Sequence, residues 1–138
     1  MSNNLEIIDN FLDKENFLAI KNFIMSPRCQ WRYVDFIAHK DGRDQDKDGY
    51  FVHSFKDCHP QTLIDRFPES PKLPLLVKLM SKIKEKINYQ NILRIRSSLY
   101  PRRDAQKPDP FHVDYDFSHN VCIYYLNSNN GYTMFENG

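Results

Sequence analysis

The spacing of apolar residues changes along this chain, and that change constrains its fold more than any other feature. From Pro74 to Asn88 apolar side chains recur at helical spacing. They line one side of the predicted helix: Leu75, Leu76, Leu79, Met80, Ile83 and Ile87. From Ile92 to Tyr100 apolar residues instead alternate with polar ones, as the two faces of a strand require. A helical part followed by antiparallel strands predicts the α+β class.

Shorter elements are predicted around this long helix. Asp13 is expected to cap a helix whose apolar stripe is Phe17, Ile20 and Ile24, and Pro60 opens a short helix to about Phe67. Four further runs predict strands: Leu5 to Ile8, Trp31 to Ile37, Tyr50 to Phe55 and Val121 to Leu126. The second and third of these runs are expected to form a hairpin around a charged loop, residues 39–49.

Composition is that of an ordinary globular domain. The 138 residues suffice for one domain, and the net charge of +1 gives no reason to expect nucleic acid or an anionic membrane as a partner. No apolar run approaches the length of a membrane span, and the polar start is unlike a signal peptide. Cys29, Cys58 and Cys122 lie far apart, so we expect reduced, buried thiols in a soluble cytoplasmic protein.

Two charged patterns have an ordinary explanation. Lys78, Lys82 and Lys86 follow one face of the long helix and are interpreted as a solvated face. Residues 44–49 match the start of an EF-hand calcium loop. Phe55 stands where that loop needs a bidentate Glu, however, and the flanking runs predict strands. We therefore interpret residues 44–49 as part of a solvated acidic loop.

His112 and Asp114 are the strongest candidates for chemistry. Side chains two residues apart on a strand project from the same face, so this imidazole and carboxylate can meet the same cation. They make up two thirds of the two-His-one-carboxylate triad that holds non-heme Fe(II). A surface histidine and a turn aspartate remain the alternative. The other histidines have no ligand spacing with one another, although His119 lies close to the same motif.

The surrounding motifs resemble the 2-oxoglutarate- and Fe(II)-dependent dioxygenases, in particular their prolyl-4-hydroxylase-like branch. Tyr100-Pro101 precedes His112-Val113-Asp114, Tyr124-Tyr125-Leu126-Asn127 ends a predicted strand, and Gly131 lies in a turn toward another strand. The resemblance covers roughly residues 92–138, with a looser likeness at residues 5–24. It implies a double-stranded β-helix, the cupin-like jelly roll, whose first half is residues 91–138 and is buttressed by the helices of residues 1–90. Residues 1–138 are then a single domain.

The resemblance also implies cosubstrates and roles. Fe(II) would be held by His112 and Asp114, and 2-oxoglutarate by Tyr125 and Tyr100, which are otherwise ordinary strand tyrosines. O₂ and 2-oxoglutarate would be consumed in the hydroxylation of a small-molecule or peptidyl substrate. The family's distal His and its following Arg or Lys have no counterpart here, since no His follows His119 and no Lys or Arg follows Lys107. The chain is therefore expected to end midway through the catalytic domain.

An incomplete barrel suggests two further expectations. The first is that the chain is a truncated part of an enzyme, with a non-catalytic half domain that acts in assembly or binding as the alternative. In both cases its strands would lack partners and would expose an apolar face. We therefore expect a homodimer in which two half-barrels pair strand to strand, which would also bring His119 of one chain near His112 and Asp114 of the other.

Overall fold

The structure is a computed structural model that describes residues 5–35, 49–105 and 111–135. Its elements are α1 (Lys14–Ile24), β1 (Arg32–Val34), β2 (Tyr50–Asp57), a 3₁₀ turn (Leu73–Leu76), α2 (Val77–Lys86) and β3 (Arg94–Leu99). Two helices and a small three-stranded antiparallel sheet confirm the α+β class. No helix in these described ranges has the length and apolar character needed to cross a membrane.

The first helix begins and packs as its sequence predicts. The Asp13 carboxylate accepts a hydrogen bond from the backbone N–H of Asn16 at 3.0 Å, which satisfies one of the free amides at the start of α1. Ile20 and Ile24 are buried, and Phe17 is half-buried on the same stripe. Local signals therefore fix both the start of α1 and the face that it buries.

The long helix is confirmed, but its lysine face is only partly solvated. A 3₁₀ turn with Pro74 near its start leads into α2, where Leu79 is buried. The Lys82 ammonium donates to the Phe11 carbonyl at 3.0 Å, and Lys86 lies 3.3 Å from a Glu6 oxygen. Two of the three lysines therefore hold the chain segment that precedes α1.

The sheet has the order β1-β2-β3. The predicted hairpin is confirmed, because β1 and β2 pair antiparallel with Tyr33 opposite Phe51. Their rings meet edge to face at 5.4 Å. Gly49 precedes β2, and a side chain there would collide with the Tyr33 ring. The rest of the charged loop lies outside the described residues.

The described chain divides into two compact units. Unit 1 comprises residues 1–29 and 54–95, and unit 2 comprises residues 30–53 and 96–138. The buried apolar residues of unit 1 are Leu12, Ile20, Ile24, Cys29, Phe55, Cys58, Leu76 and Leu79. Among the described residues of unit 2, the buried apolar ones are Tyr50 and Val52. The core is therefore concentrated in unit 1, and the single-domain organisation of residues 1–138 stays a prediction.

Three predicted elements are wrong. Residues 60–67 form turns instead of a helix. The backbones of Cys58 and Asp65 form an isolated antiparallel β-bridge, and the Arg66 N–H donates to the Asp57 carbonyl at 2.8 Å. Residues 5–8 form no strand. No strand is formed between residues 111 and 135 either, although the alternation of apolar residues there is that of a strand. A strand needs hydrogen-bonded neighbours, and its side-chain pattern alone does not supply them.

Candidate metal centre

The two predicted metal ligands lie in unit 2, in the irregular segment that follows β3. His112 and Asp114 are both exposed, and the described segment that contains them, residues 111–135, has no regular secondary structure. The strand that was expected to turn both side chains to one face is absent from residues 111–114. Both donors are accessible to solvent, but no strand geometry holds them together.

The donor types suit a first-row divalent cation, because imidazole and carboxylate are common ligands of Fe(II) and Mn(II). Their number does not reach three within the part of the chain that the structure describes. No group of three His, Cys, Asp or Glu side chains there lies close enough to hold a metal ion. Within the described residues, His112 and Asp114 would therefore supply two protein ligands for Fe(II).

Tyr100, the first predicted cosubstrate residue, lies just past the end of β3. Its ring stacks on the buried Tyr50 with centroids 5.1 Å apart and planes 5° apart. The Arg96 guanidinium lies 6.0 Å from the Tyr50 ring centroid, near enough for a cation–π contact. Tyr100 remains 52% exposed, so this packing fixes its ring while leaving much of its surface open to solvent.

Tyr125, the second predicted cosubstrate residue, lies before the predicted polar turn. The Asn129 side-chain oxygen accepts from the Gly131 N–H at 2.7 Å, and a side chain at position 131 would press against that oxygen. The turn places the Tyr125 hydroxyl 2.8 Å from the Thr133 hydroxyl. Either hydroxyl can be the donor, so Tyr125 keeps its own proton for another acceptor when Thr133 donates.

His119 belongs to an aromatic cluster in the same segment. Its Nδ1 lies 2.7 Å from the Phe117 carbonyl oxygen, and its ring meets the edges or faces of Tyr115 and Phe117 at 5.3 and 5.9 Å. Tyr115 and Phe117 stack on each other at 5.1 Å. Sequence reasoning singled out the position of His119 but gave no indication of this packing.

Sequence reasoning missed a charged cluster in unit 1. The Lys56 ammonium contacts the carboxylates of Asp65 and Glu69, and the Cys58 thiol donates to Asp65 Oδ1 at 3.1 Å. Lys56, Cys58 and Glu69 line a cleft of about 390 Å³ that is also lined by Met80 and Tyr89. These residues are separated by up to 13 positions and meet only because residues 58–65 fold back as turns.

The cluster changes the protonation of its members. Burial raises the pKa of the Cys58 thiol, which keeps the thiol protonated and able to donate to Asp65. That hydrogen bond, together with the one from Lys56, lowers the pKa of the Asp65 carboxyl. The hydrogen bond with Glu69 is the main reason that the pKa of Lys56 is raised. A protonated thiol and a charged ammonium are poor nucleophiles, so this arrangement is suited to structural ion pairing.

The cysteines follow the prediction only in part. Cys29 and Cys58 are buried free thiols, whereas Cys122 is exposed. The expectation of a buried thiol is therefore wrong for Cys122, because the segment from residue 111 to residue 135 buries none of its side chains.

Comparisons with known proteins leave the family unassigned. No protein-family model, curated protein or solved structure matches this chain.

Proposed function

We propose that this chain carries part of the active site of an Fe(II)- and 2-oxoglutarate-dependent dioxygenase, of the prolyl-4-hydroxylase-like kind, built on the first half of a jelly roll. The observation that carries the proposal is the order of motifs in unit 2: Tyr100-Pro101, His112-Val113-Asp114, Tyr125 and the turn at Gly131. When bound, Fe(II) supplies the redox chemistry by which O₂ and 2-oxoglutarate hydroxylate a C–H bond, with succinate and CO₂ as products. The substrate is a small molecule or a peptide.

The chain's own residues have distinct parts in this proposal. His112 and Asp114 hold the cation, and their exposure leaves room for further ligands. Tyr125 would donate a hydrogen bond to a 2-oxoglutarate carboxylate, while the Thr133 hydroxyl donates to Tyr125 and orients its hydroxyl. Tyr100, whose ring is held by Tyr50, would contact the same cosubstrate. Two protein ligands bind the metal more weakly than three, so turnover requires additional ligands from elsewhere.

One observation favours a second function, a non-catalytic half domain that acts in assembly. Between residues 111 and 135 the structure leaves apolar side chains in solvent, among them Val113, Val121 and Ile123, which are 71%, 61% and 56% exposed. An apolar surface of this kind is typical of a segment that another chain covers. Assembly as a homodimer is compatible with both functions.

Metal binding by the full chain tests the dioxygenase proposal. In anaerobic calorimetry, Fe(II) or Mn(II) is expected to bind weakly to the wild type, and His112→Ala is expected to abolish that binding. Addition of 2-oxoglutarate should strengthen Mn(II) binding, and Tyr125→Phe should reduce that gain. Steady succinate production by the isolated chain is not expected.

His53→Ala is the matched control. His53 is a half-buried histidine of the same unit whose Nδ1 lies 2.9 Å from the Gln30 carbonyl oxygen, and it has no part in the proposed centre. Its substitution should leave metal affinity unchanged. Equal losses in His112→Ala and His53→Ala would overturn the assignment of His112.

A further inference from the structure

The cleft beside the charged cluster has the size of a binding site for a small molecule. Its lining comes from β2 and the turns that follow it, from the 3₁₀ turn, from α2 and from residues 89–92, all within unit 1. Sites for small ligands are typically concave and enclose roughly 300–1,000 Å³. At about 390 Å³ the cleft is therefore large enough for a small organic molecule.

Apolar side chains from separate parts of the chain meet in this cleft. They are Leu63, Leu73, Met80 and Ile92, and Tyr89 adds its ring. The Tyr89 hydroxyl donates to the Met80 carbonyl at 3.2 Å, which ties residues 89–92 to the end of α2. Such a lining favours a ligand with an apolar body, because binding removes hydrocarbon surface from water.

Leu63 is held at the cleft by a strained backbone. Its φ of 58° lies in the left-handed region, which is unfavourable for a leucine. The Leu63 N–H donates to the His59 carbonyl at 2.9 Å, yet the side chain stays 46% exposed. Strained residues of this kind cluster at ligand sites. The turn thus presents an apolar side chain at the cleft without burying it in the core.

The charged residues at the cleft select the sign of the ligand. The Lys56 ammonium contacts the carboxylates of Asp65 and Glu69, which leaves these three side chains with one excess negative charge. An anion would have to compete with both carboxylates for Lys56. A cation instead meets Glu69, whose side chain lines the cleft and is 42% exposed. A carboxylate has about four acceptor positions, so Glu69 can accept from a ligand while it accepts from Lys56.

Lys84 restricts where the charge of such a ligand can lie. Its ammonium lies over the Tyr89 ring, 5.8 Å from the ring centroid. A second cation at that ring would be repelled, so the favourable position for a ligand cation is beside Glu69.

We propose that this cleft binds a small organic amine whose ammonium pairs with Glu69 and whose apolar body packs against Leu63, Leu73 and Met80. This site is independent of the proposed dioxygenase function, because its residues all belong to unit 1 and the candidate metal ligands belong to unit 2.

Two probes of similar shape and opposite charge, 2-phenylethylamine and 3-phenylpropionate, test the proposal on the full wild-type chain. NMR of ¹³C-labelled methionine methyl groups is the readout, because Met80 lines the cleft and Met80→Leu assigns its signal. The amine is expected to shift the Met80 signal with a dissociation constant of about 1 mM, and the acid should bind about tenfold more weakly or worse. Equal binding of both probes would overturn the selection of a cation, and an unmoved Met80 signal would overturn the site.

Glu69→Gln tests the ion pair, since it removes the charge and keeps the size of the side chain. It should weaken 2-phenylethylamine binding by about fivefold or more. Glu85→Gln is the matched control, because Glu85 is an exposed carboxylate of α2 in the same unit and lines a separate groove with Phe11. Far-UV circular dichroism first establishes that both variants fold like the wild type. Unchanged affinity in folded Glu69→Gln would overturn the role of Glu69, and the two probes on the wild type test the site whether or not that variant folds.

Discussion

Apolar residues are abundant both in unit 1 and in the segment Phe111–Phe135 of unit 2, but only unit 1 buries them in a core. Phe55 is 2% exposed and meets the Phe23 ring edge to face at 6.2 Å. In the segment Phe111–Phe135 no side chain is buried, and Ile123 is 56% exposed. The difference lies in the available partners, since hydrophobic content is similar in both.

This contrast shows which interactions each region needs. A helix forms its backbone hydrogen bonds within its own residues, so α1 and α2 require little more than an apolar surface to cover. Asp13 caps α1, and α2 continues directly from the 3₁₀ turn. A strand forms its hydrogen bonds with other strands, so the alternating residues of Phe111–Phe135 need a neighbour before they become regular. We expect unit 1 to carry most of the folding stability of the chain.

The largest expected effect is therefore that of a substitution in the core of unit 1. Phe55→Ala should lower the free energy of unfolding by about 3–5 kcal/mol, because it removes a fully buried ring and leaves a cavity. Urea unfolding followed by far-UV circular dichroism measures this loss. At protein concentrations low enough for the chain to be monomeric, Ile123→Ala is the control and should stay within about 0.5 kcal/mol of the wild type, since Ile123 is exposed. Equal losses would show that Phe111–Phe135 is packed in solution.

An intermediate effect is expected on self-association. If a second copy of the chain covers the segment Phe111–Phe135, sedimentation equilibrium should detect a homodimer at micromolar concentration. Ile123→Asp should then raise the dimer dissociation constant by about tenfold or more, because a charge enters an apolar interface.

The matched control for that experiment is Ile7→Asp. Ile7 is 82% exposed but belongs to unit 1, so its substitution should leave the dissociation constant unchanged. A well-folded wild-type monomer at these concentrations would rule out the strand-to-strand pairing of two half-barrels.

The sequence was sufficient to predict elements whose signals are local. Asp13 with the stripe of Ile20 and Ile24 predicted α1, and the apolar periodicity around Leu79 predicted α2. The β1–β2 hairpin was also predictable, because both runs are aromatic and β-branched and follow each other in sequence.

Features that depend on distant contacts were not predictable. Pro60 suggested a helix, but the bridge between Cys58 and Asp65 and the left-handed backbone of Leu63, with φ of 58°, produce turns there. A leucine in that conformation has no sequence signature, since the left-handed region favours glycine. The same applies to the candidate metal centre: the types of its donors were evident in the sequence, whereas their distances depend on tertiary structure.

The smallest expected effect concerns the charged cluster of unit 1 and how it responds to acid. Asp65 Oδ1 accepts from the Cys58 thiol at 3.1 Å and from the Lys56 ammonium at 3.2 Å, and these bonds lower the pKa of the carboxyl from its ordinary value of 3.8. A lowered pKa means that the charged carboxylate stabilises the folded state above pH 3.8 and that this contribution is lost as the pH falls through the lowered pKa.

Asp65→Asn should therefore lower the melting temperature at pH 7 by a few degrees at most, because the Asp65 side chain is 41% exposed and water screens its ion pair. At pH 2 more of the wild-type carboxyl is protonated than at pH 7, and the difference between the two proteins should shrink. Thermal unfolding at both pH values measures this, with Asp9→Asn as an exposed carboxylate of unit 1 outside the cluster. A difference of the same size at both pH values would mean that the charge of Asp65 does not contribute to the stability of unit 1.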